Sequence, residues 1–89
     1  MQTNIIQVLH NTDKHRFEVN IDSDTAELNY HLTEGGIIFT HTGVPSLLEG
    51  RGIGSALVKT GLQYAKDNNL KVQSLCWFVD KYRQRHPNE

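Results

Sequence analysis

Cysteine is nearly absent from this sequence, and so is any long hydrophobic run. The single cysteine, Cys76, cannot form an internal disulfide, whereas a small secreted domain usually carries several. No apolar run approaches the roughly 20 residues of a membrane span or the roughly 7 to 15 of a secretory signal core. These absences predict a protein of a reducing compartment, the cytoplasm, with no membrane association.

An excess of either charge is also missing. Nine Lys and Arg residues oppose ten Asp and Glu residues, which gives a formal net charge of −1. A dedicated nucleic-acid-binding domain usually has a pI above about 9, so we expect no nucleic-acid partner. The basic cluster near the C-terminus, formed by Lys81, Arg83 and Arg85, is better interpreted as a solvated helix face.

The chain is short for a protein domain. Its 89 residues are fewer than the roughly 100 or more of most domains, so a second hydrophobic core is not expected. The sequence therefore predicts one domain over residues 1–89, with one functional site.

Apolar residues alternate with polar ones in the first half of the chain, which is typical of half-buried strands. The alternation predicts strands over residues 5–9, 17–21, 26–32 and 37–39. Turn residues separate the last three strands, at positions 22–24 and 34–36. The first half therefore predicts a four-stranded antiparallel meander.

The apolar spacing becomes helical from Ile53 onward and predicts a helix of 15 residues that ends at Asn68 and Asn69. A fifth strand over residues 70–76 and a second helix over residues 77–86 follow. A helix between two strands implies a parallel crossover. The predicted fold is α+β, a mixed α/β sandwich with the order β-β-β-β-α-β-α.

Glycines are concentrated where the meander meets the first helix, in the segment Glu49-Gly50-Arg51-Gly52-Ile53-Gly54-Ser55. A glycine-rich turn at a helix N-terminus presents free amide groups to an anion, typically a phosphate. The segment lacks the lysine of a P-loop and the third glycine of a dinucleotide fingerprint. It fits the pyrophosphate loop of acyl-CoA enzymes at all but its first position, Glu49.

Four segments together resemble the GNAT superfamily of N-acetyltransferases, in particular its minimal, YjdJ-like members. They are H-T-x-V-P at residues 41–45, G-x-G-[IV]-[AG]-x-x-L at 50–57, L-C-x-F-V at 75–79 and Y-x-x-x-H-P at 82–87. The resemblance implies a GNAT-like fold in which acetyl-CoA lies between the fourth and fifth strands. It also implies transfer of the acetyl group to an amine, with acetyl-CoA as co-substrate and no metal.

The resemblance assigns two sets of residues. The pantetheine arm, the pyrophosphate and the 3′-phosphate of the cofactor would contact Thr40, His41, Thr42, Gly43, Val44, Arg51, Gly52, Ile53, Gly54, Ser55, Phe78 and Arg85. Catalytic roles would fall to Cys76, Tyr82 and His41. The family usually has Gln or Arg where this sequence has Glu49, and a carboxylate there should weaken pyrophosphate binding unless it points away.

Each catalytic candidate has a structural alternative. Tyr82 could protonate the leaving CoA sulfur, or it could be an amphipathic core tyrosine. Cys76 could accept the acetyl group or line the acyl pocket, or it could be a packed thiol. His41 could accept a proton, since histidine changes its protonation state near neutral pH, or it could bind the loop backbone.

Other questions stay open at the level of sequence. Five histidines and one cysteine show no spacing typical of zinc ligands, so no metal is expected. The helices that build the acceptor side in larger GNAT members are not expected between residues 9 and 16. A non-catalytic CoA-binding or protein-interaction module is therefore the alternative function. The amine acceptor and the oligomeric state are not predicted.

Overall fold

The computed structural model describes residues 6–87 and confirms the predicted α+β fold and its element order. A 3-10 turn, Ser46–Leu48, precedes the first helix. The strands and helices are β1 (Leu9–Asn11), β2 (Arg16–Ile21), β3 (Asp24–Thr33), β4 (Gly36–Gly43), α1 (Ile53–Asp67), β5 (Lys71–Ser74) and α2 (Trp77–Arg85).

The five strands form one sheet in the order of the chain. The first four strands are antiparallel, and β5 runs parallel to β4. The predicted turns are tight because Asp22 (φ 55°) and Gly35 (φ 76°) adopt left-handed backbone conformations. Helix α1 is the crossover between the two parallel strands, as predicted, and has the predicted 15 residues.

The prediction for the first strand was wrong in position. Strand β1 occupies Leu9–Asn11, not residues 5–9, and Ile5 lies outside the described residues. Two side chains fix this register against β2. The His10 ring stacks on Phe17 with the ring centroids 4.2 Å apart, and the Asn11 amide donates to a Glu18 carboxylate oxygen at 3.0 Å. Aromatic and polar contacts, which an apolar pattern does not reveal, therefore determine where the sheet begins.

The two faces of the sheet differ in chemistry. One face, here called the helix face, carries buried apolar side chains that pack with α1 and belong to one core: Phe17, Val19, Ala26, Leu28, Tyr30, Ile37 and Phe39. The other face, here called the polar face, carries Arg16, Glu18, Glu27, Asn29 and His41, which the strand registers place side by side.

The C-terminal elements are shorter than predicted. Strand β5 ends at Ser74, not at residue 76, because the Ser74 hydroxyl bonds the backbone of Cys76 and Cys76 is the N-cap of α2. Helix α2 ends at Arg85. It buries Val79 and Tyr82 and leaves Arg85 exposed. Within residues 6–87, the helices are too short or too polar to cross a bilayer.

Candidate functional site

Strand β4 continues past the end of its neighbour β5. Their pairing runs from Gly36 opposite Lys71 to Phe39 opposite Ser74, and one further backbone bond joins the Leu75 amide to the Phe39 carbonyl at 2.9 Å. Residues 41–43 of β4 stay paired with β3 only. The two parallel strands thus separate in the plane of the sheet, and a cleft of about 730 Å³ opens between them.

A β-bulge lies on β4 where the strands separate. Asn29 of β3 faces His41 while Tyr30 faces Phe39, so Thr40 is an additional residue on β4. The Thr40 hydroxyl donates to the Asn29 carbonyl at 3.3 Å. Bulges bend a strand and redirect its side chains. After this one, His41 and Gly43 belong to the polar face, and Thr42, opposite Leu28, belongs to the helix face.

The glycine-rich loop forms the far wall of the cleft. Gly50 and Gly52 have φ values of 81° and 78°, which L-residues adopt only with strain. Gly54 lies inside the first turn of α1, where a Cβ atom would stand 2.8 Å from the Phe78 ring. The glycines of this loop are therefore needed for turn conformation and for packing of α1 on α2.

Unpaired backbone amides meet the cleft at the start of α1. The helix begins at Ile53, its N-cap is Gly52, which has no side chain to bond these amides, and its first turn contains no acidic residue. The first amides of a helix have no partner within it, and the helix dipole places partial positive charge there. The wall can therefore bind an anion through backbone groups.

Besides these amides, the cleft lining contains a chemically reactive side chain, that of Cys76. Its side chain is buried, and its Sγ lies 3.3 Å from the Thr42 Oγ1. Burial, the largest single effect, opposes ionisation of the thiol. Hydrogen bonds from the Thr42 hydroxyl and from the backbone amides of Val79, Phe78 and Thr42 together outweigh it, and the pKa of the thiol is lowered. The sulfur is thus a better thiolate than an ordinary buried cysteine.

Most of the predicted site residues come together in this cleft. Eleven of them line it: Thr40, His41, Thr42, Gly43, Val44, Gly52, Ile53, Gly54, Ser55, Cys76 and Phe78. His41 is exposed at the rim, and Thr42 and Cys76 are in contact. The roles predicted for these residues stay predictions.

Three predicted residues lie elsewhere. Arg51 and Arg85 are exposed and do not contribute to the cleft lining. Tyr82 is buried, with 6% of its surface exposed, and its ring stacks on His86 at 4.2 Å between centroids. Tyr82 therefore has the position of a core tyrosine, which is the structural alternative to its catalytic role.

Five residues of the cleft lining were not predicted as site residues: Leu48, Glu49, Gly50, Leu75 and Trp77. A signal for Leu75 was present, since the strand alternation places it with Lys71 and Gln73 on the outward side. Its apolar side chain at an outward position is the feature from which Leu75 could have been predicted as a site residue. Nothing in the sequence alone shows that Leu48 lines the cleft.

Residues 6–87 contain no group of three or more His, Cys, Asp or Glu side chains arranged to hold a metal ion. His10, on β1, lies on the helix face. His31 lies on a different strand, β3.

Comparison with known proteins places this geometry in a family. The model of the family described as GCN5-related N-acetyl-transferase matches residues 16–89. Protein NATD1 of Gallus gallus is 34% identical over 85 residues, covering 92% of this chain and 77% of the relative. Protein NATD1 of Homo sapiens is 33% identical over the same length, covering 92% and 75%.

A solved structure agrees with these sequence matches. The NMR solution structure of a GCN5-like protein from Staphylococcus aureus superposes with a TM-score of 0.70 and 27% identity, covering 91% of this chain and 80% of that one. The family match spans the sheet from β2 onward, the glycine loop and both helices. The chain therefore belongs to the GCN5-related N-acetyltransferase family.

Proposed function

We propose that this protein binds acetyl-CoA and transfers its acetyl group to a primary amine. One observation carries the proposal: a glycine turn at the N-terminus of α1 opens directly onto the cleft between β4 and β5. An anion-binding helix terminus beside a cleft between separated strands is suited to a ligand with a pyrophosphate and an extended arm.

The glycine loop and strand β4 would each bind a different part of the cofactor. Backbone amides of residues 51–55 bind the pyrophosphate, because a phosphate anion replaces the partners that these amides lack. The free edge of β4 at residues 40–44 offers amide and carbonyl groups to the two amide units of the pantetheine arm. Exposed Arg51 is close enough in sequence to contribute charge toward the phosphates.

The transfer step requires a nucleophile and a proton acceptor. The amine nitrogen attacks the thioester carbonyl carbon, the C–S bond breaks, and CoA leaves as a thiolate that must be protonated. His41, exposed at the rim, is suited to accept the proton that the attacking nitrogen loses. Cys76 lies across the cleft with a lowered thiol pKa and is suited to lining the acyl pocket or receiving the acetyl group.

Calorimetry and a turnover assay test the proposal together. Acetyl-CoA and CoA should each bind with one site per chain, and acetyl-CoA with a panel of primary amines should release CoA thiol. Binding without thiol release across the panel would support the non-catalytic module instead. Absence of both binding and release would refute the proposal.

One variant at the loop and one matched control sharpen the binding test. Ser55→Glu adds a carboxylate where the pyrophosphate would lie, and we expect at least a tenfold loss of acetyl-CoA affinity. An acidic residue in the first turn favours the helix itself, so the fold should persist. Gln7→Glu, an exposed position away from the cleft, changes the net charge equally and should leave affinity unchanged.

Glu49 provides the opposite change. Glu49 is among the residues that line the cleft, so removing its charge with Glu49→Gln should strengthen acetyl-CoA binding. Unchanged or weaker binding in this variant would show that Glu49 points away from the phosphates.

Variants of Cys76, His41 and Tyr82 assign the catalytic roles. Cys76→Ser, His41→Gln and Tyr82→Phe each retain the size of the side chain, so turnover can be compared at saturating acetyl-CoA. We expect His41→Gln to lower kcat most at neutral pH. Full turnover in Cys76→Ser would exclude an acetyl-cysteine intermediate.

A further inference from the structure

The His41 ring lies over Gly43, two residues further along β4. Both residues line the cleft, and side chains two positions apart on a strand point to the same side. A Cβ atom at Gly43 would stand 3.3 Å from the Nε2 atom and 3.8 Å from the Cδ2 atom of His41. The ring therefore leans toward the end of β4, over the segment that pairs with β3 alone.

The backbone conformation of Gly43 does not by itself require glycine. Its φ is not positive, unlike that of Gly35, Gly50 and Gly52. Glycine in a strand weakens the strand and often marks a place where another group approaches the backbone closely. At Gly43 the group that approaches is the His41 imidazole.

Glu27 borders the same space and is held in place. It lies opposite Gly43 on β3, and its Cγ is 3.7 Å from the position of a Cβ atom at Gly43. Arg16 donates to one oxygen of the Glu27 carboxylate at 3.0 Å, and the Asn29 amide donates to the other at 3.3 Å. His41 is exposed and stands closer to residue 43, so a side chain added there would displace the imidazole and not the carboxylate.

From these contacts we infer that Gly43 is a positioning residue for His41. Its missing side chain lets the imidazole lie along the end of β4 at the cleft, where the ring meets the amine of the acceptor. The bulge at Thr40 selects the face of the sheet for His41, and Gly43 sets the direction in which the ring leans. This inference rests on the proposed acetyl transfer, in which His41 accepts the proton that the attacking nitrogen loses.

A nuclear Overhauser measurement tests the ring position without any turnover. In the unmodified protein, the Hδ2 proton of His41 should give a cross-peak to the Gly43 α-protons, since the ring lies against this residue. The His41→Gln variant identifies the ring signal by its loss. Absence of the cross-peak would overturn the inference.

Kinetics of Gly43→Ala give the second arm. With the primary amine of the panel that releases CoA fastest, kcat should fall about tenfold, because a misplacement of about 1 Å can lower a rate about 100-fold. The Kd for acetyl-CoA should stay unchanged, since the variant keeps the backbone groups of residue 43. A loss of acetyl-CoA affinity would instead place the cofactor on Gly43 and contradict the inference.

Gly36→Ala is the matched control, the same substitution at the other end of β4 and outside the cleft lining. A Cβ atom there would lie 2.8 Å from the Thr33 Oγ1 atom. This variant should therefore be less stable than the unmodified protein in urea unfolding and should keep its kcat. An equal loss of kcat in both glycine variants would show that a general weakening of β4, not the position of the ring, lowers the rate.

A double-mutant cycle shows whether Gly43 acts through His41. Added to His41→Gln, the Gly43→Ala change should alter kcat by less than about twofold, because the group that Gly43 positions is already gone. A full further loss in that background would refute the positioning role. By contrast, failure of the unmodified protein to bind acetyl-CoA or to release CoA would refute the proposed function, while the cross-peak would still report the position of the ring.

Discussion

At the scale of single residues, the surroundings of Cys76 determine its chemistry. A lone cysteine in a sequence is most often a packed, inert thiol. Here the N-terminal amides of α2 and the Thr42 hydroxyl surround the sulfur and lower the pKa of the thiol despite its burial. The residue is buried and activated at once, a combination that the strand alternation does not reveal.

Replacing Thr42 should reverse part of this effect. In Thr42→Val the hydroxyl donor is lost while the shape is kept, so the pKa of the Cys76 thiol should rise. The pH dependence of iodoacetamide alkylation measures it, and the midpoint should move to higher pH. Thr40→Val, whose hydroxyl bonds the Asn29 carbonyl instead, should leave the midpoint in place. A midpoint that is equally shifted in both variants would contradict the assignment.

Gly61 shows how one residue sets the distance between a helix and the sheet. A Cβ atom there would lie 2.9 Å from the Phe39 ring and 3.0 Å from a Leu28 methyl group. Gly61→Ala should therefore lower the free energy of unfolding by about 1–2 kcal/mol. Overpacking destabilises by about 1–3 kcal/mol, and the higher helix propensity of alanine offsets up to about 1 kcal/mol of that loss.

Urea unfolding measures this change. Lys59→Ala, at an exposed position of the same helix, should have little effect on the same measurement. An unchanged or increased stability in Gly61→Ala would show that α1 can move away from β3 and β4 at no cost.

At the scale of elements, ion pairs hold the edge of the sheet. Glu18 is buried, and its carboxylate accepts hydrogen bonds from Arg16 and Asn20 of its own strand and from Asn11, whose bond joins β1 to β2. Arg16 continues the network to Glu27 on β3 at 3.0 Å. The hydrogen bond from Arg16, followed by that from Asn11, lowers the pKa of Glu18 against the effect of burial.

Stability should depend on the charge of this carboxylate. Because the pKa of Glu18 is lower in the folded protein, its stabilising effect is complete above the pKa of an unfolded glutamate, about 4.3. The effect is lost as the pH falls through the lower folded-state value. Glu18→Gln should lower the free energy of unfolding by about 1–3 kcal/mol at pH 7, with the difference shrinking below pH 4.

Chemical denaturation at several pH values tests this prediction. Glu34→Gln, an exposed substitution in the turn between β3 and β4, provides the control and should be nearly neutral at every pH. A Glu18→Gln difference that does not vary with pH would mean that packing, not charge, holds the edge.

At the scale of the whole molecule, the site exists because the strand lengths differ. Strand β4 has eight residues and β5 has four, so the sheet opens at one end and both helices begin beside the opening. The helices start at Ile53 and Trp77, and the Phe78 ring packs against Gly54 to join them. A ligand in the cleft would contact both helix starts and both strands.

Ligand binding should consequently stabilise the entire fold. At a free acetyl-CoA concentration of about 100 times Kd, linkage predicts about 2.7 kcal/mol of additional stability. For a domain of this size each kcal/mol raises Tm by roughly 4–8 °C, so an upward shift of more than about 10 °C is expected. Differential scanning fluorimetry measures it, with Ser55→Glu as the variant that should shift little.

Much of the fold was predictable because it follows from local patterns. Period-two alternation gave three strands of the meander, and helical spacing gave the bounds of α1 correctly. The first strand was misplaced because His10 and Asn11 fix its register through side chains of other strands. The loop was predictable since glycine spacing reports a backbone conformation. The sequence left Tyr82 open between a catalytic role and a core position, and the structure places it in the core.

The sequence by itself determined the element order, the antiparallel meander, the 15-residue helix and the glycine turn, because periodicity and backbone conformation are properties of neighbouring residues. Only the tertiary structure decided where β1 pairs, which side chains line the cleft and what surrounds Cys76. Those outcomes depend on contacts between residues such as Thr42 and Cys76, which are 34 positions apart. No local pattern encodes them, since each follows from where the strands separate and how the two helices meet.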